Sequence, residues 1–352
     1  MASTSLTIDA RLWNASGIGV YLQALLPRLA ALLPHKIYVI HGTDTEPFSS
    51  LPNIAYIPCD AGMYSLKEQY TLPRLVPRNS TLWVPHYNIP LLYRGKLLVT
   101  VHDVAHLALP DVFGAAKRLY ARALLTAVRQ KAAHIFFVSQ FTQNSFTQIV
   151  GKPRGTTSVV HNGVEESWFA AKPTPHKQPY FIAVGNVKPH KNLGRLVEAF
   201  LRLADKIPHT LLLVGKKDGF RTGDNAILQA AEQHPERIQF TGFVPTDALQ
   251  GLVAGAEALV MPSYYEGFGL PPLEAMACGT PCIVSNAASL PEVCGDAALY
   301  VDPFSVDDIA EKLLHLAGDA ALRETLRTAG LQQAQRFSWD RAAAEMAGVL
   351  GL

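Results

Sequence analysis

Two carboxylates and one ammonium are the groups of this chain best placed to do chemistry. Glu266 and Glu274 stand in the run YYEGFGLPPLEAMACGTP, residues 264–281, with seven residues between them. Gly267 and Gly269 let the backbone take left-handed angles and approach a ligand closely. Pro271 and Pro272 suit the first turn of a helix, where a missing N–H costs nothing. Helix is predicted over 273–278, with Gly279 as its stop. Glu266 is thereby placed on a loop and Glu274 in the first helical turn, whose unbonded N–H groups make an anion site. Carboxylates on either side of an anion site suit a ligand with hydroxyls at both ends and phosphate in the middle, as in a nucleotide sugar. The plainer alternative is a loop–helix junction with two solvated glutamates, which would not need this glycine pattern.

The ammonium is Lys191, in the turn Gly185-Asn186-Val187-Lys188-Pro189-His190-Lys191-Asn192 between a predicted strand at 180–184 and a predicted helix at 193–203. A lysine beside a helix start is a reasonable phosphate ligand. The first half offers a smaller set. Gly17 and Gly19 follow a predicted strand at 6–10 and would bring helix-start amides near a phosphate or sugar. As a dinucleotide fingerprint this loop fails, because Leu22 occupies the third glycine position; a plain turn explains it equally well. His86 follows a predicted strand at 82–85, and His102 and Asp103 follow another at 97–101. Ligands of open parallel sheets sit at such strand ends, although a histidine satisfied in a loop or core is the competing reading.

Elements must hold these groups in place. Further strands are predicted at 36–41, 54–58, 135–139, 158–160, 210–214, 238–241, 256–262, 281–284 and 298–301. Helices are predicted at 115–134, 306–318 and 321–337, with an amphipathic helix in the tail FSWDRAAAEMAGVLGL. Strands alternating with helices argue an α/β chain of two parallel, doubly wound sheets. A length of 352 residues agrees with two domains. The proline-rich, aperiodic run 166–179 reads as the connection between them.

Composition excludes several classes. Four cysteines, Cys59, Cys278, Cys282 and Cys294, show no CxxC or zinc spacing and read as reduced thiols of a cytosolic protein. The start MASTSLTIDARLW has no charged segment followed by an apolar one, so no signal peptide is expected. No run of 18 apolar residues predicts a membrane span. Net charge is +2, but residues 1–170 carry +6 and the remainder −4, so the first half is the half to meet something anionic. In the 115–134 helix, Arg118, Arg122 and Arg129 share one side. They read either as a solvated face or as a contact with anionic lipid or a phosphorylated acceptor. Asp44-Thr45-Glu46 is the closest approach to an Asp-x-Asp metal motif and lies in the wrong half.

The run EGFGLPPLEAMACGTPCIVSNAASLPEV resembles the donor-site signature of retaining glycosyltransferases of family 4, which have the GT-B fold. Glutamate spacing, glycines, prolines and the downstream Pro291-Glu292-Val293 all agree, and the likeness runs through essentially the whole chain, strongest over 180–303. It implies two Rossmann-like parallel-sheet domains facing a cleft: an acceptor-binding domain at 1–168, a linker at 169–179, a nucleotide-sugar domain at 180–336, and a C-terminal helix at 337–352 packing back on the first domain. By resemblance Glu274 binds ribose hydroxyls, Glu266 binds hydroxyls of the donor sugar, and Lys191 binds the diphosphate. Phe243 and Val244 hold the base through backbone groups, and Gly267, Phe268, Gly269 and Leu270 line the donor. Ser16-Gly17-Ile18-Gly19 matches the family's first glycine loop, which approaches the donor from the other side. His102 lies near the sugar's reactive end, Asp103 orients the loop or binds the acceptor, and the acceptor lies against the first domain near Gly17, His86 and His102. The family often adds an arginine shortly before the lysine. Here the neighbouring positions are Asn186, Lys188 and His190, so Lys188 stands in as a point charge without bidentate geometry.

The implied reaction moves a hexosyl group to an acceptor hydroxyl with retention, by front-face attack in which the departing phosphate takes the acceptor's proton. Neither cofactor nor metal is expected. Mannose from GDP-mannose is the preferred donor, with UDP-linked glucose, N-acetylglucosamine or galactose as the alternative. The expected partners are a glycan or lipid-linked acceptor and, through the 115–134 helix, an anionic membrane; no nucleic acid is expected. The expected place is the cytoplasm, at the inner face of the plasma membrane. Two other classes stay open: a glycoside hydrolase using Glu266 and Glu274 as its carboxylate pair, and a nucleotide-sugar or glycan sensor without turnover.

Overall fold

The computed structural model describes residues 5–15, 17–42, 51, 53–215 and 225–351. Ser16 of the first glycine loop, Asp44 to Glu46, and Lys216 and Lys217 after the 210–214 strand lie outside the described residues. The chain forms two compact units: unit 1, Met1–Gly163 with Ser338–Leu352, and unit 2, Val164–Phe337.

Unit 1 runs β1 (Ser5–Asp9), α1 (Ile18–Leu32), β2 (Lys36–Gly42), β3 (Ile54–Cys59), α2 (Leu66–Leu75), β4 (Ser80–Val84), β5 (Leu97–Val101), α3 (Ala105–Ala108), α4 (Ala115–Lys131), β6 (His134–Phe137), α5 (Gln140–Ile149) and β7 (Thr156–Val159). Unit 2 runs α6 (Glu166–Phe169), β8 (Tyr180–Val184), α7 (Leu193–Leu201), β9 (Thr210–Val214), α8 (Asn225–Gln233), β10 (Ile238–Gly242), α9 (Thr246–Ala254), β11 (Ala258–Met261), α10 (Leu270–Ala277), β12 (Cys282–Ser285), α11 (Leu290–Cys294), β13 (Leu299–Val301), α12 (Val306–Gly318) and α13 (Ala320–Ala334). The last helix, α14 (Trp339–Leu350), belongs to unit 1.

Both sheets are parallel throughout. Their strand orders are β3-β2-β1-β4-β5-β6-β7 and β10-β9-β8-β11-β12-β13. Parallel sheets are covered by helices on both faces, so their central strands are apolar end to end. Every residue of β4, β5 and β6, and of β9, β11 and β12, is buried accordingly. Leu82, Val99, Phe137 and Phe146 lie in one core, and Phe181, Phe200, Leu211 and Leu313 in another. Serines or an aspartate cap five of the helices: Ser65, Ser139, Ser305, Asp319 and Ser338 accept hydrogen bonds from first-turn amides of α2, α5, α12, α13 and α14.

Two local readings need correction, and a third gains detail. The helix predicted to reach His134 stops at Lys131; His134 is buried and opens β6, beside Leu98 and Thr156 of its two neighbouring strands. Arg122 of α4 donates to the Ile149 carbonyl and the Arg129 carbonyl accepts from the Arg154 amide, so α4 is tied to the α5–β7 side at two of its three arginines. The run 166–179, read as an aperiodic connection, opens with α6, buries Trp168, and donates the Thr174 amide to Gly251 of α9. Its prolines hid one turn of helix anchored by a single aromatic.

Candidate donor site and its relatives

In a doubly wound sheet the strand order reverses at one point, and the loops leaving the two strands there diverge to open a ligand site. Unit 2 reverses between β8 and β11. Lys191 follows β8 and Glu266 follows β11, and their side chains meet at 2.7 Å with little exposure. Burial alone would raise the Glu266 carboxyl. The Lys191 ammonium, helped by Ser263 and His190, outweighs it and holds the group below its ordinary value.

The two loops are braced from below. Asn192 takes the left-handed conformation (φ 59°) that asparagine tolerates. Its amide donates to the Pro262 and Pro303 carbonyls at 3.0 and 2.6 Å, joining the loops after β8, β11 and β13. The Tyr264 amide donates to the His190 carbonyl, tying the Glu266 loop to the residue before Lys191. Ser289 donates to the Glu266 and Phe268 carbonyls at 3.0 and 2.7 Å. Asn192 and Ser289 went unassigned in the sequence, although each stood in view, one after the lysine and the other before Leu290-Pro291-Glu292-Val293.

Gly269 caps α10 at φ 110°, a conformation that favours glycine. The helix therefore begins at Leu270, three residues earlier than expected. That corrects the position of Glu274, which lies in the second turn; the first turn holds no acidic residue. It also narrows the anion site. Pro271 and Pro272 are the second and third helical residues and carry no N–H. The amides of Gly269 and Leu270 have no acceptor among the described residues, and these are the two donors the helix start offers.

Glu274 is partly buried, and among the described residues no hydrogen-bond donor or cation faces its carboxyl. Burial pushes it up to about 7. Of the remaining donor candidates, the Phe268 side chain is buried edge-to-face against Phe337, 5.9 Å between centroids, so only its backbone is available. Gly185 and Gly215 both have positive φ and lie so close that a Cβ on Gly215 would sit 2.1 Å from the Gly185 carbonyl oxygen. This packing fixes the start of the Asn186–Lys191 loop. Lys188 is exposed at the start of a short 3-10 turn, Asn186 and Val244 are partly buried, and Phe243 is 71 % exposed.

The unit 1 candidates gather at the other reversal, between β1 and β4. Gly17 caps α1 at φ 77° and is exposed, and Gly19 sits where a Cβ would strike the Trp13 carbonyl oxygen at 2.4 Å. His102 donates through Nε2 to the Pro85 carbonyl at 2.9 Å, and Tyr21 packs edge-on against its ring. Burial lowers it to about 4, so the ring is neutral with Nδ1 as an acceptor. Asp103 Oδ1 accepts from the Ala105 amide. His86 is 3 % exposed; its Nδ1 accepts from the Asn88 amide, and its Nε2 lies 3.5 Å from Asp9. Asp9 is in turn gripped by Arg11 at 2.8 Å through both oxygens, and Arg11 also reaches Glu68.

Among the described residues no group of three His, Cys, Asp or Glu side chains could hold a metal ion, and no helix is long and apolar enough to cross a membrane.

Two family models match in tandem: "Glycosyltransferase Family 4" over residues 15–168 and "Glycosyl transferases group 1" over residues 164–333. The O-antigen chain mannosyltransferase B of Escherichia coli is 32% identical over 259 residues, 70% of this chain and 67% of that protein. The O-antigen chain mannosyltransferase RfbU of Salmonella typhimurium is 33% identical over 218 residues, 62% of this chain and 59% of that protein. Among solved structures, sucrose-phosphate synthase from Thermosynechococcus elongatus superposes with a TM-score of 0.82 over 98% of both chains at 21% identity, a likeness of fold. The paired sheets and the matched models together place this chain in family 4 of the glycosyltransferases, with the GT-B fold.

Proposed function

We propose that this chain transfers a mannosyl group from GDP-mannose to a hydroxyl of a glycan or lipid-linked glycan, retaining the anomeric configuration. The observation that carries the donor half is the unpartnered Glu274 carboxyl one turn from a left-handed helix cap, with the Lys191–Glu266 pair supplied by the neighbouring loops. A carboxyl that burial has pushed up to about 7 gains most from hydroxyl donors, which the ribose of a nucleotide provides. A diphosphate would take the open N–H positions of Lys191 and the amides of Gly269 and Leu270. Drawing Lys191 toward phosphate loosens its hold on Glu266, which then accepts from sugar hydroxyls.

In the reaction the bond between the anomeric carbon and the diphosphate oxygen breaks, and a bond to the acceptor oxygen forms on the same face. The acceptor's proton passes to the departing phosphate. The difficult quantity is negative charge growing on the diphosphate, and donors fixed in advance are the means of stabilising it; one such donor is commonly worth about 10²–10³ in kcat. Neither glutamate is needed as a nucleophile and no metal is assigned. The choice of mannose draws on the named activities of the two bacterial relatives.

A thermal-shift panel of GDP, UDP, ADP and their sugars tests this. GDP and GDP-mannose should give the largest shift, since a ligand at about 100 times its Kd stabilises by ~2.7 kcal/mol. Glu274→Ala should abolish that shift, whereas Glu266→Ala should keep it and lose transfer. A UDP-selective shift would replace the donor. If both variants retained wild-type transfer and donor KM, the site would be misassigned.

A further inference from the structure

Unit 1 carries an aromatic cluster that neither the donor reading nor the family match uses. Tyr64 has a left-handed backbone (φ 63°), a costly choice for a residue with a bulky side chain, and is 57 % exposed. The strain is held by its surroundings. Ser65 donates back to the Gly62 carbonyl at 2.7 Å and caps α2, while Arg11 bonds the Ala61 carbonyl from inside the buried Asp9–Arg11–Glu68 network. Tyr120 of α4 meets Tyr64 edge-to-face at 6.3 Å and is itself 40 % exposed. Its hydroxyl donates to Asn88 Oδ1 at 2.7 Å, and the Asn88 amide donates to Glu68 at 2.8 Å. Tyr87 is paired with His106 at 3.2 Å.

Asp103 stands three residues before His106, the partner of Tyr87, and its charge reaches two of these rings. Burial raises the Tyr64 and Tyr87 phenols most; Glu68 and then Asp103 add to it at Tyr64, and Tyr64 and then Asp103 add to it at Tyr87. Asp103 spends Oδ1 on the Ala105 amide, and its Oδ2 has no partner among the described residues. The cluster thus offers exposed aromatic faces on a strained turn, within electrostatic reach of one open hydrogen-bond acceptor. Exposed tyrosines give large contact area at small entropic cost, and strain of this kind gathers at ligand sites.

We propose that Tyr64, Tyr120 and Asp103 form a subsite for a neutral pyranose residue of the acceptor glycan. The apolar face of the ring lies on the tyrosines, and a hydroxyl donates to Asp103. The sugar is neutral because the open Asp103 carboxylate repels a carboxylate or phosphate placed near it. The subsite rests on the glycan-transfer reading above, and it assigns specificity to residues of unit 1 alone.

Saturation-transfer NMR on the full chain tests it, with methyl α-D-mannopyranoside, methyl β-D-glucopyranoside, methyl α-D-galactopyranoside and methyl β-D-glucuronide as probes. At least one neutral glycoside should show saturated ring protons, and the glucuronide should not. Tyr64→Gly relieves the left-handed strain, so its melting temperature should equal or exceed that of the wild type while glycoside affinity falls at least tenfold. Tyr64→Phe should bind like the wild type, and Asp103→Asn should weaken binding severalfold. The GDP-induced thermal shift of Tyr64→Gly should be unchanged, which separates failure here from failure of the donor reading. Binding by Tyr64→Gly equal to wild type, preference for the glucuronide, or no neutral glycoside bound by the wild-type chain would overturn the subsite.

Discussion

The two units reverse their strand order in the same way and treat the reversal point in opposite ways. In unit 1 the charge leaving β1 is consumed internally: both oxygens of Asp9 are bonded by Arg11, which also serves Glu68, and His86 from the β4 loop closes over them. Burial alone would raise Asp9, yet Arg11 holds it well below the ordinary carboxylate range. In unit 2 the charges are fewer and less spent. Lys191 and Glu266 have only a short list of partners, and Glu274 has none among the described residues. One topology supports both outcomes because it fixes where loops diverge, not what they contain. A buried ion network reads as scaffold and an unsatisfied buried carboxyl as a place kept for a ligand.

The contrast is broken most forcefully at Arg11. Arg11→Met keeps the aliphatic stem and strands two buried carboxylates, which should cost about 3–5 kcal/mol in urea unfolding. A loss below about 1 kcal/mol would mean that the unit 1 network is no more structural than the unit 2 pair.

A smaller effect sharpens the other side. The Glu274 carboxyl has a folded value of about 7 against 4.5 unfolded, so the native state holds its proton more tightly. Its contribution to stability is full below the unfolded value and is lost as pH rises toward the folded one. His102, lowered from 6.5 to about 4, acts with the opposite sign, adding stability as pH rises through that window. The two slopes offset each other in the wild type. Glu274→Gln removes one of them, so relative to wild type it should gain on the order of 2 kcal/mol between about pH 5 and pH 8, read from urea midpoints. A pH-independent difference would show that the carboxyl is not strained by burial.

Smallest is Ser289→Ala. It leaves the Glu266 and Phe268 carbonyls without their shared donor and should cost about 1 kcal/mol in stability, with a rise in donor KM. An unchanged KM would show that the loop keeps its shape without the serine.

The sheets were legible because buried parallel strands are unbroken apolar runs such as LLVTV and TLLLV, and those runs need no partner to be seen. The glutamates were legible because the glycines and prolines around them have few other uses. What stayed hidden was long-range or conformational. The start of α10 turned on one left-handed glycine that shifted Glu274 by a turn. The Lys191–Glu266 contact joins residues 75 apart, which no periodicity reports. Arg11 read as an ordinary basic residue because its partners arrive from β1, α2 and the loop between β3 and α2.

The return of α14 to unit 1 has a practical meaning. Gly163 leaves unit 1 against the Trp339 backbone, so close that a Cβ there would lie 2.1 Å from the Trp339 nitrogen, and Trp339 packs on Tyr21, whose ring supports His102. Unit 2 is therefore an insertion within a single host rather than a partner joined end to end. An engineer exchanging unit 2 must cut at both 163/164 and 337/338, and a chimera made with one junction would lose the floor beneath His102.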